Sequence, residues 1–184
     1  MKSENPSSAD NQQERSREFL RGYITGFVDG EGSFHIAFSI RPELPLGISI
    51  IPEFHLSQNQ ESKSVLELAQ KILGCGYIKA NHSNSPDKTF VLVIRDKIDL
   101  LTKIVPFFEY NQLQTEKRKD FQTFAKIIRM VSLGHHRNLK YVKEIIDLAY
   151  TMNGGGKRRI RTKQELYKLL KSSETIREKP VYIG

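Results

Sequence analysis

Apolar residues first fall into register at Phe19, Leu20, Tyr23, Ile24 and Phe27, and this spacing of three and four predicts an amphipathic helix from Ser16 to Val28. Ser16 is a residue type that caps a helix, and Gly30-Glu-Gly32 closes it. From Ser33 to Arg41 the period changes to two. Phe34, Ile36, Phe38 and Ile40 share one face of a strand, and His35, Ala37, Ser39 and Arg41 the other. After a proline-bearing loop (42–46), a second strand from Gly47 to Ser57 puts Ile48, Ile50, Phe54 and Leu56 inside, with Ser49, Ile51, Glu53, His55 and Ser57 outside.

Val65 to Leu73 reads as a helix stopped by Gly74. Tyr77–Asn81 and Thr89–Arg95 form a second strand pair, with Ile78, Ala80, Phe90, Leu92 and Ile94 pointing inward. A short helix from Lys97 ends before Pro106. Longer ones run from Glu116 to Val131 and from Lys140 to Tyr150, and the capping box Thr162-Lys-Gln-Glu165 opens a last one. The order α-β-β-α-β-β-α plus further helices predicts an α+β fold with an antiparallel sheet. Residues 1–15 read as a disordered polar leader, 16–153 as the core domain and 154–184 as a basic extension.

Charge alters this picture at one end. Residues 1–60 hold 5 Lys/Arg against 8 Asp/Glu, residues 61–116 hold 7 of each, and residues 117–184 hold 17 against 6, so the whole net charge of +8 comes from the last third. That asymmetry suits a polyanion partner, and RNA, DNA, ribosome and anionic membrane fit it equally. There is no run of 18 apolar residues and no apolar N-terminal segment, so no membrane partner or secretory signal is expected. Cys75 is the only cysteine, which excludes an internal disulfide and a cysteine-based zinc site.

The sharpest local chemistry lies at residues 23–34. Gly26 in mid-helix costs about 1 kcal/mol relative to alanine, which a close-packed second backbone would offset. Asp29 and Glu31 sit at the helix C-terminus, where the dipole disfavours negative charge and a cation relieves it. On these residues alone, an ordinary glycine-terminated helix with a solvated acidic end is the favoured reading.

The segment Ile24-Thr-Gly-Phe-Val-Asp-Gly-Glu-Gly32, followed by Ser33-Phe34, resembles the LAGLIDADG motif, and the likeness extends from about Leu20 to Asn153. The chain is similar to single-motif, homodimeric LAGLIDADG homing endonucleases. The resemblance implies the αββαββα fold with a saddle-shaped sheet. It also implies a site-specific double-strand DNA endonuclease of the intron-homing type, cutting a long pseudo-palindromic target as a homodimer. It places Tyr23, Gly26 and Phe27 in the dimer interface. Glu31 becomes the ligand of a catalytic Mg²⁺ with help from the Gly30 carbonyl, while Asp29 supports the helix end. Mn²⁺ is expected to substitute, and Ca²⁺ to support binding only. Gln58 would position solvent. Lys117 would steady charge at the scissile phosphate, with Lys119 as the alternative register, and Ser62 stands where an arginine can occur.

The outer strand residues would then read bases: His35, Ser39, Arg41, Ser49, Glu53, His55, Tyr77, Lys79, Asn81 and Thr89. Lys157, Arg158 and Arg159, beyond the hinge at Asn153-Gly-Gly-Gly, would clamp phosphate. His135 and His136 read as surface loop. The rival readings are an intron maturase bound to RNA, a transcription regulator that does not cut, and a basic RNA-binding domain. The last ordinarily shows stacking aromatics on its sheet, where this face offers Tyr77 alone. An organelle (chloroplast or mitochondrion) or a prokaryotic cytoplasm suits the endonuclease.

Overall fold

A computed structural model describes residues 6–81, 88–155 and 159–177. Helix α1 (Pro6–Glu31) leads without a loop into β1 (Gly32–Ile40), followed by β2 (Ile48–Asn59), α2 (Lys63–Leu73), β3 (Tyr77–Ala80) and β4 (Thr89–Ile94). Then come α3 (Lys97–Asp99), a π-helical turn (Leu100–Ile104), α4 (Val105–Tyr110), α5 (Lys117–Ser132), α6 (Leu139–Ala149) and α7 (Lys163–Arg177). The four strands form one antiparallel sheet in the order β1-β2-β4-β3. The αββαββα order with additional C-terminal helices is therefore the observed architecture.

One sheet face supplies Phe34, Ile36, Ile48, Ile50, Phe54, Leu56, Leu92 and Ile94 to a single core shared with every long helix. Phe34 is its hub. Fully buried, it packs against Phe54, Phe108, Phe121 and Phe124 with ring centroids 5.1–5.5 Å apart, so β1, β2, α4 and α5 meet on one side chain. The alternation read from the sequence holds along β1 and β2, and Gly32↔Leu56 and Ser33↔His55 fix their register. Pro52 lies within β2 where that strand pairs with β1 alone, since the β2–β4 ladder starts at Phe54.

Several expectations are corrected. The first helix starts at Pro6, so residues 6–15 are helical rather than a disordered leader, and Ser16 does not cap it. Ser16 Oγ instead donates to the Gln12 carbonyl one turn back (2.9 Å). Pro106 does not end the helical run from Lys97; the turn before it widens to π geometry and absorbs the missing backbone donor. Ala80, the last residue of the outermost strand, is exposed rather than inward. The Thr162–Glu165 capping box forms as read, with Thr162 N donating to Glu165 Oε2 (2.7 Å) and Glu165 N to Thr162 Oγ1 (3.2 Å).

The passage from α1 to β1 depends on Gly32. A Cβ there would lie 2.6 Å from Val28 Cγ1 and 2.8 Å from the Val28 carbonyl oxygen. Gly32→Ala should therefore destabilise the fold by about 1–3 kcal/mol, read as a lower urea midpoint at unchanged slope.

Candidate active site and nucleic-acid interface

The C-terminal turn of α1 gathers three of the residues singled out in the sequence. Lys117, the first residue of α5, sends its Nζ to the carbonyls of Val28 (2.9 Å) and Gly30 (3.0 Å). These are among the last carbonyls of α1, which a helix cannot satisfy internally, and a cation there interacts favourably with its dipole. Burial pushes the Lys117 ammonium pKa down, against the raising charges of Asp29, Glu31 and Asp120. Lys119 points elsewhere, pairing with Glu116 on the exposed side of α5 (2.9 Å), so Lys117 is the lysine at the helix end.

Asp29 turns to the loop before α5. Its carboxylate accepts from the Gln114 amide (2.8 Å), the Thr115 amide (3.1 Å) and the Thr115 hydroxyl (2.7 Å). Burial pushes its pKa up, but these bonds and the Lys117 charge outweigh that and hold it below the usual carboxylate value. Asp29 thus braces the helix end, and Glu31 is left as the exposed acid there. The Glu31 carboxylate and Gly30 carbonyl are neighbouring hard oxygen donors, a set suited to Mg²⁺ or a similar hard cation. The Lys117 ammonium on the Gly30 carbonyl is a direct sign that this end holds positive charge.

Gln58 is half-buried near the end of β2, and its Oε1 accepts from the Asn59 amide (2.8 Å). Gln58 lies two residues past Leu56, the partner of Gly32 at the start of β1, and pairs with Phe90 of β4. Ser62 occupies the turn before α2, its amide donating to Asn59 Oδ1 (3.0 Å).

The outer sheet face is less uniform than its alternation implies. Arg41, Tyr77, Lys79 and Asn81 are exposed; Ser39, Ser49 and Thr89 are half-buried, with Ser39 directly opposite Ser49. Val91 and Val93 are buried on this same face, paired with Ser57 and His55 on one side and with Lys79 and Tyr77 on the other. Glu53 is corrected as a base reader. It is 5% exposed and acts within the face. Its Oε2 accepts from His35 Nε2 (2.8 Å) and lies 3.1 Å from His55 Nε2, while Arg95 Nε donates to Oε1. Burial pushes the Glu53 pKa up, but the Arg95 bond and the adjacent positive charge outweigh it and keep it below the usual range. Burial pushes both histidines down, His55 to about 4 with the Arg95 charge acting in the same direction, so the His55 ring is neutral at pH 7. Arg95 was missed in the sequence. Its signal was the parity 91-93-95, which carries the outer face past the end of β4.

Arg159 is corrected as a phosphate clamp. Its guanidinium donates to the carbonyls of Ile36 and Ala149 and lies over the Tyr150 and Phe38 rings, 4.8 and 5.7 Å from their centroids. Asn153, in a left-handed conformation (φ 52°), donates from Nδ2 to the Phe34 carbonyl (2.9 Å), so the expected hinge begins in an anchored turn. Lys157 and Arg158 lie outside the described residues. The basic excess of the last third is partly spent within the fold: Lys126 pairs with Glu144, Arg129 with Glu109 and Lys163 with Asp147. Among the described residues no helix is long and apolar enough to cross a membrane.

The arrangement of helices around a four-stranded antiparallel sheet is one this chain shares with solved structures. A family model described as LAGLIDADG endonuclease matches residues 24–128, and the chain belongs to that family. It is similar to "Probable intron-encoded endonuclease 2" of Neurospora crassa, 31% identical over 134 residues that make up 72% of this chain and 29% of that protein. Among solved structures it resembles the homing endonuclease I-TnaI, at 32% identity and a TM-score of 0.71 over 83% of this chain and 97% of the other. It also resembles the archaeal intron-encoded homing endonuclease I-Vdi141I complexed with DNA, at 25% identity and a TM-score of 0.77 over 86% and 98%. The chain spans between 29% and 55% of the length of the first curated relatives it matches.

The neutral His55 gives the fold a definite pH response. A histidine pKa of about 4 in the fold against 6.5 unfolded contributes stability that is full above pH 6.5 and lost as pH falls toward 4. Urea unfolding at pH 7 and pH 4.5 should show an acid loss in the wild type larger than in His55→Gln by on the order of 2–3 kcal/mol.

Proposed function

We propose that this protein is a site-specific double-strand DNA endonuclease of the intron-homing type, hydrolysing phosphodiester bonds as a homodimer with a divalent metal. The observation that carries this reading is the Lys117 ammonium on the Val28 and Gly30 carbonyls, beside the exposed acid Glu31. Glu31 and the Gly30 carbonyl hold the cation, Mg²⁺ by preference, with Mn²⁺ able to substitute and Ca²⁺ supporting binding alone. When bound, such a cation polarises the phosphate and lowers the pKa of a water. Lys117 supplies positive charge for the pentacoordinate phosphorane-like transition state, and Gln58 orients the attacking water by hydrogen bonding. The exposed face around Arg41, Tyr77, Lys79 and Asn81 binds the duplex and sets the register of the cut, with Glu53 holding His35 and His55 in place.

One motif per chain supplies one acidic end, so two chains are needed to cut two strands. The surface of α1 suits that pairing. Gly26 has open space where a side chain would be, as do Gly22 and Gly30 four residues away on either side. Tyr23 and Phe27 stack beside this bare strip, with ring centroids 6.4 Å apart. A helix from a second copy can approach this strip to backbone contact. The chain would work in an organelle or a prokaryotic cytoplasm, where mobile introns reside.

Two measurements test the reading. Incubation with a duplex library and Mg²⁺ should give discrete double-strand cuts at one site. Glu31→Gln should lower the rate by at least about 10³-fold while leaving DNA affinity within a few-fold. Tight binding of duplex or of intron RNA with no cutting by the wild type would shift the reading to a maturase or regulator. The interface gives an unusual sign. Gly26→Leu should leave the isolated chain as stable as before or stabilise it by up to about 1 kcal/mol, because leucine favours helix and meets no neighbour. The same change should raise the dimer dissociation constant by an order of magnitude or more in sedimentation equilibrium; an unchanged dimer would remove α1 from the interface.

A further inference from the structure

The outer sheet face carries a cluster for which phosphodiester hydrolysis has no use. His35 on β1 and Glu53 and His55 on β2 each place one ligand atom within 4.8 Å of the others. Nε2 of His35 and Nε2 of His55 lie 2.8 and 3.1 Å from the same carboxylate oxygen of Glu53. A tetrahedral ion with bonds of about 2.0–2.1 Å would hold such donors roughly 3.3 Å apart, close to the separation of each imidazole nitrogen from the carboxylate oxygen. A hydrogen bond accounts for the His35 contact only. His55 Nε2 is buried and makes none, and unsatisfied buried polar atoms are rare in folded proteins. Arg95 holds the other oxygen of Glu53, the kind of outer partner that orients a ligating carboxylate.

We propose that His35, Glu53 and His55 form a binding site for a divalent transition-metal ion of the zinc type, built on different residues from the Glu31 end of α1. Two imidazoles and one carboxylate with an open fourth position suit Zn²⁺ or Co²⁺, whereas Mg²⁺ and Ca²⁺ prefer all-oxygen sets. The two strands that supply the ligands are neighbours in the sheet, with His35 directly opposite Glu53, so the ion staples β1 to β2. The site does not depend on DNA cleavage, and its test needs no DNA.

Full-length protein, cleared of metal by a chelator, is titrated with Co²⁺ and followed by visible absorption, then with competing Zn²⁺. One saturable site per chain with the intense visible bands of tetrahedral Co²⁺ is expected, distinct from any weak all-oxygen binding at Glu31, with that Co²⁺ displaced by Zn²⁺. A hundredfold excess of Zn²⁺ over its dissociation constant should raise Tm on the order of 5 °C. His35→Gln, His55→Gln and Glu53→Gln should each weaken binding tenfold or more, and Glu31→Gln should leave it unchanged. X-ray absorption of the zinc-loaded wild type should show two imidazole ligands, a result independent of whether any variant folds. Binding unaltered in the histidine variants, as from the His135–His136 pair, would overturn the assignment. So would binding lost in Glu31→Gln alone, a spectrum without imidazole, or no saturable binding.

Discussion

A helix that turns into a strand with no intervening loop must satisfy its final carbonyls from outside itself. In this protein that requirement organises the whole site. Lys117 reaches across from the start of α5 to the carbonyls of Val28 and Gly30, and Asp29 reaches back to the amides of Gln114 and Thr115 and the Thr115 hydroxyl. The two contacts run in opposite directions between the same two segments, so neither end can shift without breaking both. Residues about 85–89 positions apart in the chain are thereby locked together, and Glu31 is presented outward because its neighbours at 29 and 30 are engaged.

The rigidity of this corner comes from the core beneath it. Two residues past Gly32, Phe34 enters a cluster of four further phenylalanines drawn from β2, α4 and α5. The helix that carries Lys117 also carries Phe121 and Phe124, so packing and polar bracing set the same distance between α1 and α5. Such agreement between independent interactions is what holds a reactive side chain to a fixed position. On the other sheet face a single carboxylate does comparable work, since Glu53 joins β1, β2 and the segment after β4 through His35, His55 and Arg95.

The strands were legible because one buried face imposes a period of two that a one-residue slip would invert. The motif helix and the Thr162 cap were legible from local chemistry. The helix start was not: a polar segment such as 6–15 has no apolar stripe to announce it. Pro106 misled because a proline inside a helix is compatible with a widened turn, which no local pattern reveals. The site was half visible. Asp29 and Glu31 are singled out by the motif and Lys117 by the wider resemblance, and the choice of Lys117 over Lys119 at the helix end rests on a contact with a segment nearly ninety residues earlier. Glu53 and Arg159 failed as readers of a ligand for a common reason. Residue type and strand parity indicate which face a side chain starts from, and neither indicates that a neighbouring group has already claimed its charge.

The anchored turn at Asn153 and the guanidinium of Arg159 bear on something apart from chemistry. Their donors meet the carbonyls of Phe34 and Ile36, alternate residues of β1, the strand at the sheet margin. Alternate carbonyls of a marginal strand point the same way, and left bare they are a template for another chain to add to. Side chains here take the place that a fifth strand would occupy. The C-terminal segment is thus a guard against edge-to-edge aggregation, and a shortened chain ending before Asn153 would lose the buried Leu166 and Leu170 and also offer that margin to its neighbours.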